Sequence, residues 1–394
     1  MRFNDVVLVE GARTPFTLFC GSLREITAID LGAIAAKEAI RKAGIDAEEV
    51  DQVVIGNAYQ SSKDAHILAR HVGLKAGAPV STPALTVNRL CGSGLEAMIS
   101  AARMIQTGES SVALAGGTEN MSQIPFVVRG ARWGIPYGGG NALEDILWEG
   151  LTDTYAGCNM AITAENLAEK YGLTREEIDR HALQSHQRAR AARDKGYLQK
   201  EIVPVEVNEK KGSRIVESDE QMRETSFEKL SKLKPRFKVG GVVTAGNASS
   251  INDGAAAVIL ASARYAEQRG LKPIARLISW DVVGVEPTIM GIGPVPAIRG
   301  ALKKANMTMG DLDLIEINEA FSAQYLACMK ELDFNPEFGN VNGGAVAIGH
   351  PMAATGGRIT LSLIYELARR EGKYGATAIC IGGGQGIAAI WERL

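Results

Sequence analysis

Val87-Asn88-Arg89-Leu90-Cys91-Gly92-Ser93-Gly94 joins an apolar, β-prone stretch to a helical pattern. The glycines on either side of Ser93 allow the backbone to turn sharply and let another group approach closely. The helix predicted from about Ser93 to Thr107 is apolar almost all round, which is typical of a helix in the protein interior. The sequence therefore predicts a thiol, Cys91, at a tight turn that leads into an interior helix.

Strand-like and helix-like segments alternate on both sides of this turn, which predicts an α/β protein. Before it, strands are predicted at 6–9 and 53–56, and a helix at 29–43 that ends at Gly44. After it, a buried strand is predicted at 111–115, closed by Gly116-Gly117. The second half predicts helices at 296–304 and 357–370 and strands at 314–317, 376–381 and 386–391, the last two joined by a hairpin turn at 382–385.

The chain divides into two similar halves with an insertion between them. Residues 121–249 include a Gly/Pro-rich stretch, a charged helical region from 164 to 195 and a mixed-charge run through Lys238, so we expect an elaborated insertion that lies over a core. Residues 1–120 with 250–270, and residues 271–394, form the two halves. In each half a reactive residue, Cys91 or His350, precedes a helix, a strand and a glycine cluster. If the halves face each other, the two reactive turns lie close together.

Bulk composition excludes several classes of protein. The chain has 394 residues, 46% hydrophobic and 22% charged, with a net charge of -2 and no long like-charged block, so we expect no nucleic-acid partner. No apolar stretch is long enough to span a bilayer, and the first residues lack the pattern of a secretory signal. Five cysteines without framework spacing indicate reduced thiols and a cytoplasmic location. The histidine spacings predict no metal site.

Cys91 can act as a nucleophile. A free thiol titrates near about 8.5, and the N–H groups of a helix N-terminus lower that value, so the predicted turn favours the reactive thiolate. The alternative is a small core thiol, which is the ordinary role of a cysteine.

His350 lies in Gly349-His350-Pro351, where the proline restricts the histidine to an extended conformation. A neutral imidazole can take a proton from a thiol or donate to a developing oxyanion. The alternative is a histidine whose hydrogen bonds are satisfied within the turn.

Two further residues stand at strand ends. Cys380 precedes Gly382-Gly383-Gly384, whose backbone N–H groups can help to form an oxyanion hole, and its thiol can act as a second acid or base. Asn318 can hold a water or a carbonyl in the site. Either residue can instead belong to the core. Two thiols, an imidazole and an amide from distant segments together predict acyl transfer through a cysteine thioester.

These motifs resemble the thiolase family over essentially the whole chain, most closely the degradative 3-ketoacyl-CoA thiolases of the mitochondrial type. The resemblance rests on the following combination: Glu10-Gly11-Ala12-Arg13-Thr14-Pro15-Phe16, Asn88-Arg89-Leu90-Cys91-Gly92-Ser93-Gly94, Gly116-Gly117-Thr118-Glu119-Asn120-Met121-Ser122, Asn318-Glu319-Ala320-Phe321 and Cys380-Ile381-Gly382-Gly383-Gly384-Gln385-Gly386. It implies duplicated α/β domains in a five-layer αβαβα arrangement with an inserted loop domain.

The resemblance also implies roles for individual residues. Cys91 resembles the acylated nucleophile, His350 its activating base, and Cys380 the thiol that exchanges a proton with acetyl-CoA. Asn318 would hold a water in one oxyanion site, and the N–H groups of Cys91 and Gly382 would line the other. Coenzyme A is implied as a substrate, with no tightly bound cofactor, and the subunits as a homodimer or homotetramer. The implied coenzyme A contacts are Arg223, Thr225, Ser249, Met160 and Phe237.

The motif around His350 departs from the family pattern. Ala353 replaces a glycine and Thr355 a serine; if that glycine needs a positive φ, Ala353 strains or reshapes the turn. Asn159 stands where many biosynthetic members carry histidine, which disfavours a dedicated synthase of acetoacetyl-CoA. We predict a thiolase that cleaves 3-ketoacyl-CoA, and the alternatives are an acetyl-CoA acetyltransferase or a non-catalytic acyl-CoA-binding subunit. A decarboxylating ketoacyl synthase is disfavoured, because it would use a second histidine in place of Cys380.

Overall fold

The computed structural model describes residues 5–140, 142–209 and 212–394. Residues 1–4 of the predicted N-terminal half, and 141, 210 and 211 of the predicted loop domain, lie outside the described residues. The strands are β1 (Val6–Arg13), β2 (Thr17–Leu18), β3 (Gln52–Gly56), β4 (Ala84–Val87), β5 (Val112–Asn120), β6 (Phe126–Val127), β7 (Glu144–Asp145), β8 (Thr152–Asp153), β9 (Cys158–Asn159), β10 (Val205–Glu209), β11 (Gly212–Val216), β12 (Asn252–Ser262), β13 (Ala275–Gly284), β14 (Leu314–Ile317), β15 (Tyr374–Ile381) and β16 (Gln385–Arg393). The helices are α1 (Ala28–Ala43), α2 (Leu68–Ala76), α3 (Ser93–Thr107), α4 (Ile146–Gly150), α5 (Met160–Tyr171), α6 (Arg175–Asp194), α7 (Phe227–Ser231), α8 (Ala263–Gln268), α9 (Pro294–Ala305), α10 (Ser322–Leu332), α11 (Ala345–Ile348) and α12 (Thr355–Arg370).

The two halves repeat the same strand order. In the N-terminal half β3 pairs in parallel with β5, β5 pairs antiparallel with β12, and β12 pairs antiparallel with β1. In the C-terminal half β14, β15, β16 and β13 follow the same order with the same parallel and antiparallel pairings. The pairs Val7–Arg276 and Leu8–Ala275 join β1 to β13 and connect the two sheets. The weak repeat in the sequence therefore corresponds to a duplicated topology.

Alternation along the strands produces the layers. Val7 and Val9 of β1 face α1 and α2 on one side, while Val6 and Leu8 face α3 and α12 on the other. Helices α3 and α12 also contact the inner face of the second sheet, and α9 and α10 cover its outer face. This is the predicted arrangement of five layers, with α3 and α12 in the middle. The interior position predicted for α3 is confirmed, because its apolar residues are buried except for Met104, which is partly buried.

Several element predictions need correction. Strand β1 continues to Arg13 instead of ending at Val9, and α9 and β15 each begin two residues earlier than predicted. Strand β5 does not end at Gly116-Gly117 but continues to Asn120. Glycine at position 117 allows the Ala353 carbonyl oxygen to approach the strand closely, since a Cβ there would lie only 2.0 Å from that oxygen. The charged helical region is two helices, because the chain takes a left-handed conformation at Gly172 and α6 restarts at a capping box on Thr174. Helix α12 begins at Thr355, two residues earlier than predicted.

Two predicted glycine turns are confirmed. Helix α1 ends at Gly44, which has φ 68. The hairpin between β15 and β16 turns through Gly382–Gly384, where Gly383 and Gly384 have φ 83 and 81. These conformations favour glycine, so the sequence at each of these turns fits the backbone it adopts. No helix among the described residues is both long and apolar enough to cross a membrane.

Candidate functional site

Cys91 lies in a single 3-10 turn, residues 90–92, that runs directly into α3. Leu90 takes a left-handed φ of 44, which is uncommon for a side chain other than glycine or asparagine. The Ser93 hydroxyl fixes the turn by accepting a hydrogen bond from the Arg89 N–H at 2.8 Å and donating one to the Leu90 carbonyl at 2.7 Å. The thiol is therefore held at the start of an interior helix, as the sequence predicts.

The thiol opens into a largely apolar cavity of about 430 Å³ between the two halves and residues of the predicted loop domain. His350 and Gly382 share this wall with Cys91, so residues far apart in the chain meet there. The walls also include Leu90, Met121, Trp148, Leu151, Asn159, Met160, Phe237, Ser249, Ile251, Met290, Ala320, Phe321, Met352 and Gly383.

His350 is buried and held from three sides. Its backbone N–H donates to Asn252 Oδ1 at 2.9 Å. Its ring nitrogens contact two side chains: Nδ1 lies 2.6 Å from Thr355 Oγ1 and Nε2 lies 3.3 Å from Asn318 Nδ2. Burial, with a smaller effect of the Arg358 charge, lowers the pKa of His350 to about 3. The imidazole is therefore neutral at physiological pH and able to accept a proton.

Cys380 and Gly382 flank the end of β15. Cys380 is fully buried and packs with Met290 and Ala320, two residues of the cavity wall. Burial raises the pKa of the Cys380 thiol well above its ordinary value, and the nearby Cys91 raises it further. The N–H of Gly382 donates to the Cys91 sulfur. The Cys91 sulfur therefore lies near the Cys380 thiol and accepts a hydrogen bond from the Gly382 N–H.

The predicted lowering of the Cys91 pKa is wrong. Burial raises the pKa of the thiol to about 11, although the N–H groups of Gly382 and of Cys91 itself act in the opposite direction. Cys91 packs against an apolar cluster that includes Met121 and Met352, two residues from other segments, and an apolar environment disfavours the thiolate. In the absence of substrate the thiol is therefore protonated and requires a base.

The departure at Ala353 carries no strain. Residues 352–354 form a 3-10 turn, and Ala353 does not adopt a positive φ. Its N–H points to Glu119 Oε2 at 3.3 Å, and its carbonyl oxygen packs against Gly94 and Gly117, where Cβ atoms would lie 2.2 Å and 2.0 Å away. An alanine fits this turn as well as a glycine would.

The implied coenzyme A contacts separate into two groups. Met160, Phe237 and Ser249 line the cavity that contains Cys91. Arg223 and Thr225 do not line it: Arg223 is exposed, and its backbone N–H donates to His186 Nδ1 at 3.3 Å, while Thr225 is half-buried. The cavity wall can thus surround the reactive end of a ligand, and these two residues lie outside it.

Two buried carboxylates support the site and were given no role in the sequence analysis. Glu119 accepts from the N–H groups of Ala58 and Tyr59, each at 3.0 Å, as well as from Ala353, and burial raises its pKa to about 7. Glu319, which follows Asn318, accepts from Ser185 Oγ at 2.7 Å in α6. Both carboxylates lie in the motifs quoted above, and the feature of the sequence that marks them is an acidic residue at the end of an apolar strand. Thr355 also contacts the site, whereas the sequence marks it only as a replacement for serine.

Comparison with known proteins identifies the family. The models described as "Thiolase, N-terminal domain" and "Thiolase, C-terminal domain" match residues 6–264 and 271–393. The chain is 52% identical to "3-ketoacyl-CoA thiolase, mitochondrial" of Bos taurus, over 99% of this chain and 98% of that one, and 46% identical to "Acetyl-CoA acetyltransferase" of Syntrophomonas wolfei, over 99% and 100%. The crystal structure of human mitochondrial 3-ketoacyl-CoA thiolase in complex with CoA superposes with a TM-score of 0.97 at 50% identity, covering 100% of this chain and 99% of that one.

The chain belongs to the thiolase family. It is an acyltransferase of α/β fold with coenzyme A as a substrate, and these predictions are confirmed. The predicted cytoplasmic location is wrong by this comparison, because the bovine and human relatives are named mitochondrial. Free thiols disfavour an oxidising compartment but do not distinguish one reducing compartment from another.

Proposed function

We propose that the chain cleaves 3-ketoacyl-CoA reversibly, with coenzyme A, into acetyl-CoA and a shortened acyl-CoA, through an acyl thioester on Cys91. The supporting observation is that Cys91, His350 and Gly382 line one cavity, with Asn318 and Cys380 immediately behind. A nucleophile, a neutral base, an oxyanion donor and a second thiol are the groups that this chemistry needs.

The first half-reaction breaks the carbon–carbon bond. The Cys91 sulfur attacks the 3-keto carbon as its proton passes to His350, and the C2–C3 bond breaks toward the thioester to give the enolate of acetyl-CoA. Cys380 delivers its proton to C2 of that enolate. Because burial disfavours a thiolate at Cys91 before substrate arrives, proton transfer and attack are coupled.

The second half-reaction regenerates the enzyme. After acetyl-CoA leaves, the thiol of coenzyme A attacks the acyl group, the bond to Cys91 breaks and acyl-CoA departs. The proton of coenzyme A replaces the one that Cys380 gave up, and His350 returns its proton to Cys91. The thioester formed resembles the thioester broken, so the step is reversible.

The oxyanion sites are assigned from the same geometry. The N–H groups of Cys91 and Gly382 serve the thioester oxygen on one side of the sulfur. His350, with a water held by Asn318, serves the other. Removing one such donor typically costs about 3 kcal/mol of transition-state stabilisation.

We assign coenzyme A contacts to Met160, Phe237 and Ser249 in the cavity and to Arg223 and Thr225 outside it. A planar aromatic ring such as Phe237, 38% exposed at the cavity, can cover the apolar part of pantetheine. An exposed cation such as Arg223 suits a phosphate.

We retain the division into halves, 1–120 with 250–270 and 271–394, around a loop domain at 121–249. The two family models meet between residues 264 and 271, which supports the boundary at 270/271 only. We also propose a homodimer or homotetramer, with a role in fatty-acid β-oxidation. Strand β4 ends the large sheet of the described residues and exposes 42% of Leu85, which a second copy can cover.

Acetoacetyl-CoA synthesis is the second candidate, because the Syntrophomonas wolfei relative is named an acetyl-CoA acetyltransferase. Asn159, which lines the cavity in place of a histidine, favours degradation. A non-catalytic subunit loses its support, since the Ala353 turn is unstrained.

Specific activity against a ladder of 3-ketoacyl-CoA lengths, with coenzyme A present, tests the proposal. We expect cleavage of acetoacetyl-CoA and of longer substrates, with higher kcat/KM for the longer ones. Activity on acetoacetyl-CoA alone would favour the second candidate, and no cleavage at any length would refute both.

A further inference from the structure

The hydroxyl of Thr355 contacts the edge of the His350 ring that carries Nδ1. Thr355 is the first residue of α12, and its Oγ1 is 2.6 Å from His350 Nδ1 and 3.2 Å from the Pro351 carbonyl oxygen. The carbonyl can only accept, so a hydroxyl that donates to Pro351 keeps its lone pairs for an N–H on Nδ1.

The opposite ring nitrogen, Nε2, lies 3.3 Å from the side-chain amide of Asn318. Since Thr355 accepts from the N–H on Nδ1, the lone pair of the neutral ring is on Nε2. In this tautomer the basic nitrogen lies on the edge of the ring opposite Thr355.

We propose that Thr355 is a positioning residue that holds His350 in the Nδ1–H tautomer, which leaves on Nε2 the lone pair that accepts the proton of Cys91. This inference rests on the proposed function. It assigns to the hydroxyl the orienting task that a carboxylate performs in a Ser-His-Asp triad. A neutral hydroxyl stabilises an imidazolium less than a carboxylate would, so His350 returns its proton readily when the thioester breaks.

Removal of the hydroxyl should reduce turnover more than binding. Thr355→Val keeps the β-branched shape but leaves the Nδ1–H unpaired in a buried site, and we expect a fall in kcat of about 10- to 100-fold. KM for coenzyme A should change less than about threefold, because Thr355 does not line the cavity. Thr355→Ser restores the hydroxyl and should recover most of the lost turnover.

Thr360→Val is the matched control. Thr360 is buried in the same helix and donates to the Gly356 carbonyl at 2.8 Å, but it does not contact the imidazole. Both valine variants lose a buried threonine hydroxyl, but only Thr355→Val also leaves the Nδ1–H unpaired. We therefore expect a larger loss of thermal stability for Thr355→Val and a fall in kcat for that variant alone. If that variant does not fold, Thr355→Ala replaces it with the same expected result.

The outcomes separate the two claims. An inactive wild-type protein refutes the proposed function. An active wild type with Thr355→Val turning over within twofold, or slowed no more than Thr360→Val, refutes the positioning role alone. Failure of Thr355→Ser to recover turnover also refutes it, since the hydroxyl would then not be the group that matters.

Discussion

Replacing Glu319 by glutamine should destabilise the protein and slow catalysis together. Both carboxylate oxygens accept hydrogen bonds: Oε1 from Asn340 Nδ2 at 3.0 Å, and Oε2 from Ser185 Oγ at 2.7 Å and from the Val346 N–H at 3.2 Å. A glutamine keeps one accepting oxygen and places an NH₂ against the donors on the other side. The neighbouring Asn318, which contacts the imidazole of His350, would shift with it.

The expected loss of folding stability follows from the pKa of Glu319. Burial alone would raise it, but hydrogen bonds and charge from His181, with Asn340 and Ser185, lower it from 4.5 to about 2. A difference of about 2.5 pKa units corresponds to about 3 kcal/mol. Because the folded-state pKa lies below the unfolded one, the stabilisation is present above about pH 4.5 and is lost as the pH falls toward 2; the part that comes from the charge of His181 also requires that imidazole to be protonated.

Denaturant unfolding of wild type and Glu319→Gln at pH 7 and at pH 4 measures this directly. We expect about 3 kcal/mol less stability in the variant at pH 7 and a smaller difference at pH 4. Glu176→Gln is the control, since Glu176 pairs with Arg180 on an exposed helix surface and should change stability by less than about 1 kcal/mol. A Glu319→Gln loss no larger than the control, or a difference that does not depend on pH, would refute the reasoning.

Three further results are expected. Alkylation of Cys91 in the free enzyme should rise about tenfold per pH unit from pH 7 to 10, because burial raises the thiol pKa to about 11; a plateau below pH 9 would contradict this. Gly117→Ala should cost about 2–4 kcal/mol, measured by denaturant unfolding against Gly310→Ala, because its Cβ would meet the Ala353 carbonyl oxygen at 2.0 Å whereas Gly310 has room. Phe237→Ala should raise KM for coenzyme A about tenfold in steady-state kinetics with little change in kcat, and an unchanged KM would exclude this ring from the binding wall.

Short stretches of sequence were sufficient to predict the elements that position the site. The apolar run of α3, the stop at Gly44 and the turn at Gly382–Gly384 each have a short-range cause, and each lies where the sequence predicts. The repeat of a reactive residue, a helix and a strand was sufficient to predict that Cys91 and His350 share one cavity.

The features that the sequence did not predict depend on contacts between distant segments. The continuation of β5 through Gly117 depends on a carbonyl from Ala353, which no local pattern can reveal. The direction of the Cys91 pKa shift depends on burial by Met121 and Met352, which outweighs the N–H groups near the thiol. The partner of His350 Nδ1 became apparent only once the ring and the Thr355 hydroxyl were placed together.

Peptide mass mapping after mixing the protein with acetyl-CoA tests the central claim most directly, namely that the sulfur of Cys91 carries the acyl group. We predict one acetyl group per chain, on the peptide that contains Cys91, absent from Cys91→Ala and released by coenzyme A. An acetyl group on Cys380, or one that persists in Cys91→Ala, would contradict this account.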